Sequence, residues 1–240
     1  MKIIGVIPAR LGSTRLQGKV LIEIAGKPMI AHVWERAKQS KLLSDLIIAC
    51  DDEKVLKAVK KFGGKAVLTS IDHPSGSDRI AEVIRDLDVD IVINIQGDEP
   101  LIHHSVIDNL ANALLKDPAT PMATVIKVLE KKEDLENPNV VKVVIDEHKN
   151  ALYFSRAAIP FNREHKKDVT YYKHLGIYAY RKDFLFVFKN LPKSKLEKAE
   201  GLEQLRVLEA GYKIKTVETD IETIGVDTAE DLKKVEKLLK

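Results

Sequence analysis

Short apolar runs alternate with longer amphipathic stretches along the first half of the chain. The run 3–7 (Ile-Ile-Gly-Val-Ile) is too short for a core helix and rich in β-branched residues, so it predicts a buried parallel strand. We expect Pro8 to end this strand, because proline cannot donate to a sheet ladder. Runs of the same character predict further buried strands at 46–50, 65–68 and 90–95.

Between these strands, apolar residues recur at helical spacing. Ile30, Val33, Trp34 and Ala37 are an example, and we expect this face, including Trp34, to lie in the core. The segment 20–25 predicts a short strand-like piece before a turn. The predicted helices of the first half are 29–39, 53–62, 80–86 and 105–115. This strand–helix rhythm with short connections predicts a doubly wound α/β fold.

The second half differs in pattern and composition. Predicted strands at 122–128, 174–181 and 214–217 are joined there by a hairpin of 139–146 with 151–155. Helices are predicted from Glu203 and over 229–239. Ten of the twelve Phe and Tyr residues lie between Tyr153 and Phe188. Such crowding often marks an interface or an acceptor pocket, although core packing is the default for any single aromatic residue.

Length, charge and cysteine content exclude several classes. A chain of 240 residues is long enough for one α/β domain, with or without a small subdomain. The net charge of +3 is small and its cations are dispersed, so we expect no nucleic-acid partner. No apolar run approaches ~18 residues and no signal peptide is recognised, so we expect no membrane segment. The single cysteine, Cys50, fits a reducing cytoplasm.

The loop that follows the first strand, 8–19, carries the first candidate chemistry. It holds the cations Arg10, Arg15 and Lys19 among residues that include Gly12 and Gly18. Open α/β sheets hold ligands at the carboxyl ends of their strands, and backbone N–H groups with cations suit a polyphosphate. The loop has neither a GxxxxGK[ST] nor a GxGxxG pattern. Charge alone therefore leaves open a solvated surface loop.

Polar residues follow two other predicted strands. In the turn-rich segment 71–79, Ser75 and Ser77 are helix-capping candidates on composition alone. Asp98 follows a glycine at the end of the strand 90–95, where a carboxylate faces the ligand crevice of such a fold. The alternative for Asp98 is a cap of the next helix. Asp227 or Thr228, likewise, is on its own an ordinary N-cap candidate for the last helix.

Six separated motifs carry a family resemblance. They are P-A-R-x-x-S-T-R-L-x-G-K, H-x-S-G-S-D-R, Q-G-D-E-P, Y-F-S-R-A-A-I-P, H-L-G-I-Y-A-Y-R and L-E-Q-L-R-V-L. Together they resemble the sugar nucleotidyltransferases, and in detail the cytidylyltransferases that activate eight- and nine-carbon acidic sugars. The resemblance runs almost end to end. It implies a doubly wound, mostly parallel sheet with a small aromatic-rich acceptor and dimerisation subdomain.

The resemblance also implies roles for individual residues. The implied nucleotide-binding residues are Pro8, Ala9, Arg10, Arg15, Lys19, Ser75, Arg79 and Gln96. The implied sugar-binding residues are Gln96, Arg156, His174, Tyr178, Glu203 and Gln204. Lys19, Asp98 and Asp227 are the implied catalytic residues, the two aspartates also being the implied Mg²⁺ ligands. Two alternatives from spacing stay open: Arg156 pairs with a helix acid, and Glu203 and Gln204 form an ordinary exposed helical turn.

The implied activity is transfer of CMP from CTP to the anomeric C2 hydroxyl of 3-deoxy-manno-octulosonate (KDO), for lipopolysaccharide assembly. The same chemistry on an amino-octulosonate or a nine-carbon acid is an alternative, and so is a catalytically idle nucleotide-binding protein. A homodimer is implied as well. We expect a single α/β domain over 1–240, with a nucleotide-binding part at 1–128, an acceptor part at 139–190 and a return to the metal site at 203–240.

Overall fold

The computed structural model describes residues 1–12, 16–166 and 168–239. The chain forms two compact units, one of Met1–Ala111 with Thr223–Lys240 and one of Asn112–Glu222. A single functional domain over 1–240 remains a prediction. Among the described residues, no helix combines the length and apolar character needed to cross a membrane.

In the first half of the chain, strands and helices alternate as the hydrophobic pattern predicts. The strands are β1 (Ile3–Ala9), β2 (Glu23–Ile24), β3 (Lys27–Pro28), β4 (Asp45–Cys50), β5 (Ala66–Leu68), β6 (Ile91–Asn94), β7 (Met122–Val128), β8 (Lys142–Ile145), β9 (Ala151–Ser155), β10 (Tyr172–Arg181) and β11 (Ile214–Glu218). The helices are α1 (Met29–Ala37), α2 (Glu53–Lys61), α3 (Gly76–Ile84), α4 (His104–Lys116), α5 (Lys132–Glu136), α6 (Lys182–Asn190), α7 (Lys195–Glu200), α8 (Leu205–Glu209) and α9 (Ala229–Leu239). A 3₁₀ turn covers Lys19–Leu21.

The first unit is built on the parallel strands β6, β1, β4 and β5, in that order. Val6 of β1 pairs with Ile47 on one side and Asn94 on the other. The apolar residues of β1, β4 and β6 are buried, as are the four residues of the α1 face that includes Trp34. The α/β class and the parallel strands predicted for this part of the chain are confirmed.

The prediction that Pro8 ends the first strand is wrong. Strand β1 continues to Ala9, and Pro8 pairs with Ala49 of β4. Pairing with β6 ends at Val6, so the missing N–H of Pro8 interrupts no ladder on that side. The carboxyl end of the strand, and with it the start of the first loop, therefore lies two residues further along than predicted.

Two other elements differ from their predicted bounds, and the cause is local in each case. Helix α3 begins at Gly76 and not at residue 80, because the Ser75 side chain accepts a hydrogen bond from the Asp78 N–H and caps the helix there. The predicted strand-like piece at 20–25 is a 3₁₀ turn and a small β2–β3 hairpin. Ala25 (φ 47°) and Gly26 (φ 78°) form its two-residue turn, and both have the left-handed φ that such hairpin turns require.

The second unit contains β7 paired antiparallel with β10 and parallel with β11, together with the predicted β8–β9 hairpin. Of the ten aromatic residues singled out by composition, four are buried: Phe154, Tyr180, Phe184 and Phe188. Phe161 differs, with 86% of its surface exposed. The default interpretation, core packing, therefore holds for these four residues and fails for Phe161, while the other five are partly buried.

Candidate active site

One lysine and two aspartates form a charged centre in the first unit. Lys19 Nζ donates to Asp98 Oδ2 at 2.6 Å and to Asp227 Oδ1 at 2.9 Å. The Lys19 side chain is 12% exposed, whereas those of Asp98 and Asp227 are 30% and 44% exposed. Burial acts to lower the pKa of Lys19, but the two carboxylates outweigh it and the pKa is raised. Two carboxylates from distant parts of the sequence thus converge on one cation.

The backbone explains why these side chains meet. Asp98 follows Gly97, where a Cβ would lie 2.9 Å from the Pro8 carbonyl oxygen, so β1 and this turn approach more closely than a side chain permits. Val226 donates its N–H to the Asp98 carbonyl at 2.9 Å and is buried in a cluster with Ile24 and Met29. The start of the last helix is therefore fixed against the turn that carries Asp98.

Neither aspartate is a helix cap. At the start of α9, Thr228 Oγ1 accepts the N–H of Asp231 at 3.2 Å, which is the capping contact, while Asp227 faces Lys19. Asp98 is separated from α4 by several residues and also faces Lys19. The capping alternative is therefore wrong for Asp98 and for Asp227, and it is correct for Thr228.

A cavity of about 350 Å³ opens beside this centre within the first unit. Its lining residues, most of them polar, are Pro8, Arg10, Lys19, Val20, His73, Pro74, Ser75, Gly76, Arg79, Gln96, Gly97, Asp98 and Asp227. A second cavity of about 840 Å³ shares Arg10, His73 and Arg79 with it. Its other lining residues belong to the first loop and to the segment after β4, together with Ile71. Volumes of this size suit a small-molecule ligand.

Not all of the expected nucleotide-binding residues line the first cavity. Pro8, Arg10, Lys19, Ser75, Arg79 and Gln96 line the first cavity. Ala9 is 0% exposed in β1 and is not part of that lining. Arg15 lies outside the described residues. Ser75 is the N-cap of α3 and also donates to Asp78 Oδ2 at 2.7 Å, whereas Ser77 lies inside the first turn and does not cap it.

Arg79 borders the cavity but is bonded to protein. Its side chain is 3% exposed, and Nη2 donates to Asp51 Oδ2 at 3.1 Å. Nη1 donates to Thr69 Oγ1 at 2.5 Å and to the Ser70 carbonyl at 3.2 Å. A direct bond from this guanidinium to a nucleotide stays a prediction, and the terminal nitrogens already have acceptors.

In the second unit, Arg156 is bonded on its main chain and side chain. Its N–H donates to Glu200 Oε2 at 2.9 Å, its Nε to the Glu200 carbonyl at 2.8 Å, and its Nη1 to the Pro138 carbonyl at 2.8 Å. Lys142 Nζ donates to the Arg156 carbonyl at 2.5 Å. The alternative of a helix acid is thus partly correct: Glu200 of α7 is the partner, through the Arg156 amide and the helix backbone.

His174 and Tyr178 lie next to each other on β10, with ring centroids 5.4 Å apart. His174 Nε2 shares a hydrogen bond with Thr124 Oγ1 at 2.8 Å, and the edge of Phe154 packs 4.9 Å away. Burial lowers the pKa of His174 to about 3. Burial, and then the Tyr180 and Glu203 charges, raise the pKa of Tyr178 well above its usual value. Both side chains are therefore neutral at physiological pH.

Glu203 and Gln204 do not form the exposed helical turn that spacing alone allowed. They precede α8, Glu203 is half-buried, and Gln204 is 4% exposed. Gln204 Nε2 has no hydrogen-bond partner among the described residues. A buried amide donor of this kind is costly unless something accepts from it.

Several residues of these sites escaped sequence reasoning. Glu99 is 7% exposed, and burial followed by the charge of Asp98 raises its pKa to about 8. Asp51, Lys142 and Glu200 hold other site residues in place. The position of Asp51 directly after β4 was a usable signal, because it is the strand-end position that singled out Asp98. Lys142 and Glu200 have no comparable signal.

Comparison with known proteins gives one consistent family. Residues 4–216 match the family model described as cytidylyltransferase. The 3-deoxy-manno-octulosonate cytidylyltransferase of Solibacter usitatus is 50% identical over 100% of this chain and 95% of its own length. That of Syntrophobacter fumaroxidans is 51% identical over 100% and 97%. A solved CMP:2-keto-3-deoxy-manno-octonic acid synthetase complexed with CTP has a TM-score of 0.95 at 47% identity, covering 100% of this chain and 98% of its own. This chain therefore belongs to the cytidylyltransferase family.

Proposed function

We propose that this protein transfers CMP from CTP to the C2 hydroxyl of KDO, releasing pyrophosphate and giving CMP-KDO for lipopolysaccharide assembly. The observation that carries the proposal is the convergence of Asp98 and Asp227 on Lys19 beside the cavity. It occurs in a chain that is about half identical, over full length, to proteins named for this reaction.

The nucleotide would bind in the first unit. Arg10 and Lys19 are the lining cations available to neutralise a triphosphate, and the sequence adds Arg15 to them. The raised pKa of Lys19 keeps its ammonium charged at neutral pH. The remaining proposed nucleotide residues are Pro8, Ala9, Ser75 and Gln96. Arg79, which the family resemblance also implies, lines the cavity with both terminal nitrogens bonded to protein.

The same centre fits Mg²⁺. No group of three His, Cys, Asp or Glu poised for a metal occurs among the described residues. Mg²⁺ is usually held by one or two carboxylates plus substrate phosphates, and Asp98 and Asp227 already place oxygens within 2.9 Å of one cationic atom. These two residues would hold the ion. When bound, it would neutralise developing charge on the phosphates and lower the pKa of a coordinated hydroxyl.

The acidic sugar would bind to residues of the second unit. We propose that Arg156 orients the sugar carboxylate, since its guanidinium is fixed through Nε and Nη1 by two backbone carbonyls. His174 and Tyr178 supply neutral hydrogen-bonding groups. Glu203 and the unpartnered amide of Gln204 supply further groups for sugar hydroxyls.

The chemistry is a single displacement. The C2 hydroxyl oxygen of KDO bonds to the α-phosphorus of CTP, the bond from that phosphorus to the bridging oxygen breaks, and pyrophosphate leaves as the hydroxyl loses its proton. Positioning and charge neutralisation are sufficient for such phosphoryl-type transfer. Lys19 contributes a cation beside the reacting phosphates, and no side chain is required as a covalent nucleophile.

We also propose that the protein works in the cytoplasm as a homodimer. The exposed Phe161 and the exposed Leu152 (61%) are apolar surfaces of the second unit that a partner copy would cover. The single cysteine, Cys50, is free and buried, in keeping with a reducing compartment. Sedimentation analysis should give a dimer mass; a monomer at working concentration would contradict the dimer.

The reaction is tested by offering each of the four nucleoside triphosphates with Mg²⁺ and a panel of acidic sugars, and measuring pyrophosphate. We expect release that requires both CTP and KDO. Release with an amino-octulosonate or a nine-carbon acid in place of KDO would reassign the acceptor. Absence of release with every pair would favour the idle nucleotide-binding protein.

A further inference from the structure

A buried carboxylate joins the first loop to helix α3. Asp51, directly after β4, has 8% of its side chain exposed. Its Oδ1 accepts the backbone N–H of Leu11 at 2.9 Å, and its Oδ2 accepts Arg79 Nη2 at 3.1 Å. Buried carboxylates persist when paired and hydrogen-bonded, and Asp51 has both kinds of partner.

The contact to Leu11 fixes the loop at both of its ends. The Leu11 carbonyl accepts the N–H of Gly18 at 3.3 Å, so the point where the loop leaves β1 is bonded to the point where it returns. Arg10 immediately precedes Leu11, and Lys19 immediately follows Gly18. The position of Asp51 therefore sets the positions of two cations that line the cavity.

Arg79 is arranged as a counter-charge for this carboxylate. Both of its terminal nitrogens donate to protein atoms, to Asp51, Thr69 and the Ser70 carbonyl, and its side chain is 3% exposed. Without Arg79, Asp51 would be an unpaired buried anion on the wall of the second cavity, which Arg10 also lines. Such a charge would repel a bound triphosphate and destabilise the loop contact.

We propose that Asp51 is a positioning residue for the nucleotide loop, and that Arg79 acts on the site through Asp51 and not by bonding the nucleotide. The proposal rests on CTP being the nucleotide substrate. It concerns the described ends of the loop, Leu11 and Gly18. It assigns Asp51 a role in CTP affinity and none in binding the sugar.

The test compares Asp51→Asn, Arg79→Ala and the double variant, with CTP affinity measured by calorimetric titration without sugar. Arg79→Ala leaves the carboxylate unpaired, and we expect CTP affinity to fall about tenfold or more. Asp51→Asn keeps an oxygen for the Leu11 N–H but turns an amide N–H₂ towards Arg79, so it should also weaken CTP binding. The double variant removes both conflicts and should bind CTP more tightly than either single variant.

The matched control is Asp45→Asn, at the opposite end of β4, where the carboxylate pairs with Lys65. Its CTP affinity should equal that of the wild type. In steady-state assays, the single variants should raise KM for CTP while KM for the sugar stays within about twofold, a split that a general loss of stability would not produce. A double variant that does not bind CTP more tightly than both single variants would overturn the proposal.

The proposal can still be tested if a single variant does not fold. If Arg79→Ala alone fails to fold, a folded double variant that binds CTP supports the proposal, and an unfolded double variant overturns it. The proposed reaction fails separately: a wild-type chain that binds CTP but transfers nothing to any sugar refutes the transfer, while the titrations still decide the role of Asp51. A wild-type chain that does not bind CTP overturns both.

Discussion

The charged groups of the two units are arranged in opposite ways. Around Lys19, the ammonium and the carboxylates of Asp98 and Asp227 bond to one another at the edge of a cavity. Around Arg156, the charged groups bond mainly to backbone: Arg156 to two carbonyls, and Lys142 to three. A ligand can replace the ion pairs around Lys19, because the partners of Lys19 there are side chains and not backbone atoms.

The second arrangement is fixed before any ligand arrives. Lys142 is 0% exposed, and its ammonium bonds the segment after β9 to the segment before β8. The Glu200 carboxylate bonds the Arg156 amide to α7. Preorganised groups of this kind lose little entropy on binding. The difference suggests that the first centre serves chemistry on a charged, exchanging substrate, and the second serves recognition. The variants below test this contrast.

The largest effect should come from the carboxylates. Asp98→Asn or Asp227→Asn removes a charge that we assign to the metal, and pyrophosphate release should fall about 10³-fold or more. The control is Asp88→Asn, which breaks the exposed pair with Lys2 and should leave the rate unchanged. Near-normal release from either variant would remove that aspartate from the reacting centre and weaken the contrast between the units.

A smaller loss is expected from Lys19→Met. It leaves the two carboxylates facing each other without their cation and removes a charge from the triphosphate, so kcat/KM for CTP should fall about 10²-fold. Lys27→Met, which breaks the exposed contact with Glu35, is the control. If steady-state kinetics showed a raised KM for the sugar and an unchanged kcat/KM for CTP, Lys19 would act in sugar recognition and not in the reaction of CTP.

Arg156→Ala should raise KM for the acidic sugar about tenfold or more, because a guanidinium held in position for a carboxylate is lost. CTP affinity, measured by titration, should not change. Lys198→Ala, an exposed change on the same helix as Glu200, serves as the control. An equal loss of CTP affinity would move Arg156 to the nucleotide side.

The smallest effect concerns stability against pH. His174 has a folded pKa of about 3, below its ordinary value, so between pH 6.5 and about 3 the unfolded chain binds a proton that the folded chain does not. Acidification should therefore lower the free energy of unfolding, by up to about 1.4 kcal/mol per pH unit from this group. In His174→Gln, the slope of the free energy of unfolding against pH, measured by denaturant titrations at several pH values, should be shallower than in the wild type. Parallel slopes would show that His174 titrates normally.

Sequence reasoning succeeded where the cause was local. The strand at 122–128 and the helix at 229–239 have the predicted bounds, because apolar run length and helical spacing act within each segment. It failed at Pro8, where the outcome depends on β6 ceasing to pair beyond Val6. A partner strand some ninety residues away is not visible in local spacing.

The site residues differ in the same way: some could be selected from local sequence, and others depend on contacts that form only in the folded chain. Asp98 could be selected from its place after a strand, and Asp227 only through family resemblance, since on its own it looks like a cap. Asp51 followed a strand as well, but its importance lies in accepting the Leu11 amide, a contact that exists only in the folded chain. The sugar-binding role of Arg156 stays a prediction from family resemblance, while its partners Glu200 and Lys142 are set by tertiary packing.

The central claim is that Asp98 and Asp227 serve one divalent cation when CTP is bound. A crystal structure with CTP and Mn²⁺, with the ion located by its anomalous signal, tests this most directly. We expect the ion to contact oxygens of both carboxylates and of the triphosphate, with Lys19 Nζ moved from the carboxylates to the phosphates. An ion bound by neither aspartate, or CTP bound with both Lys19 ion pairs intact, would contradict the claim.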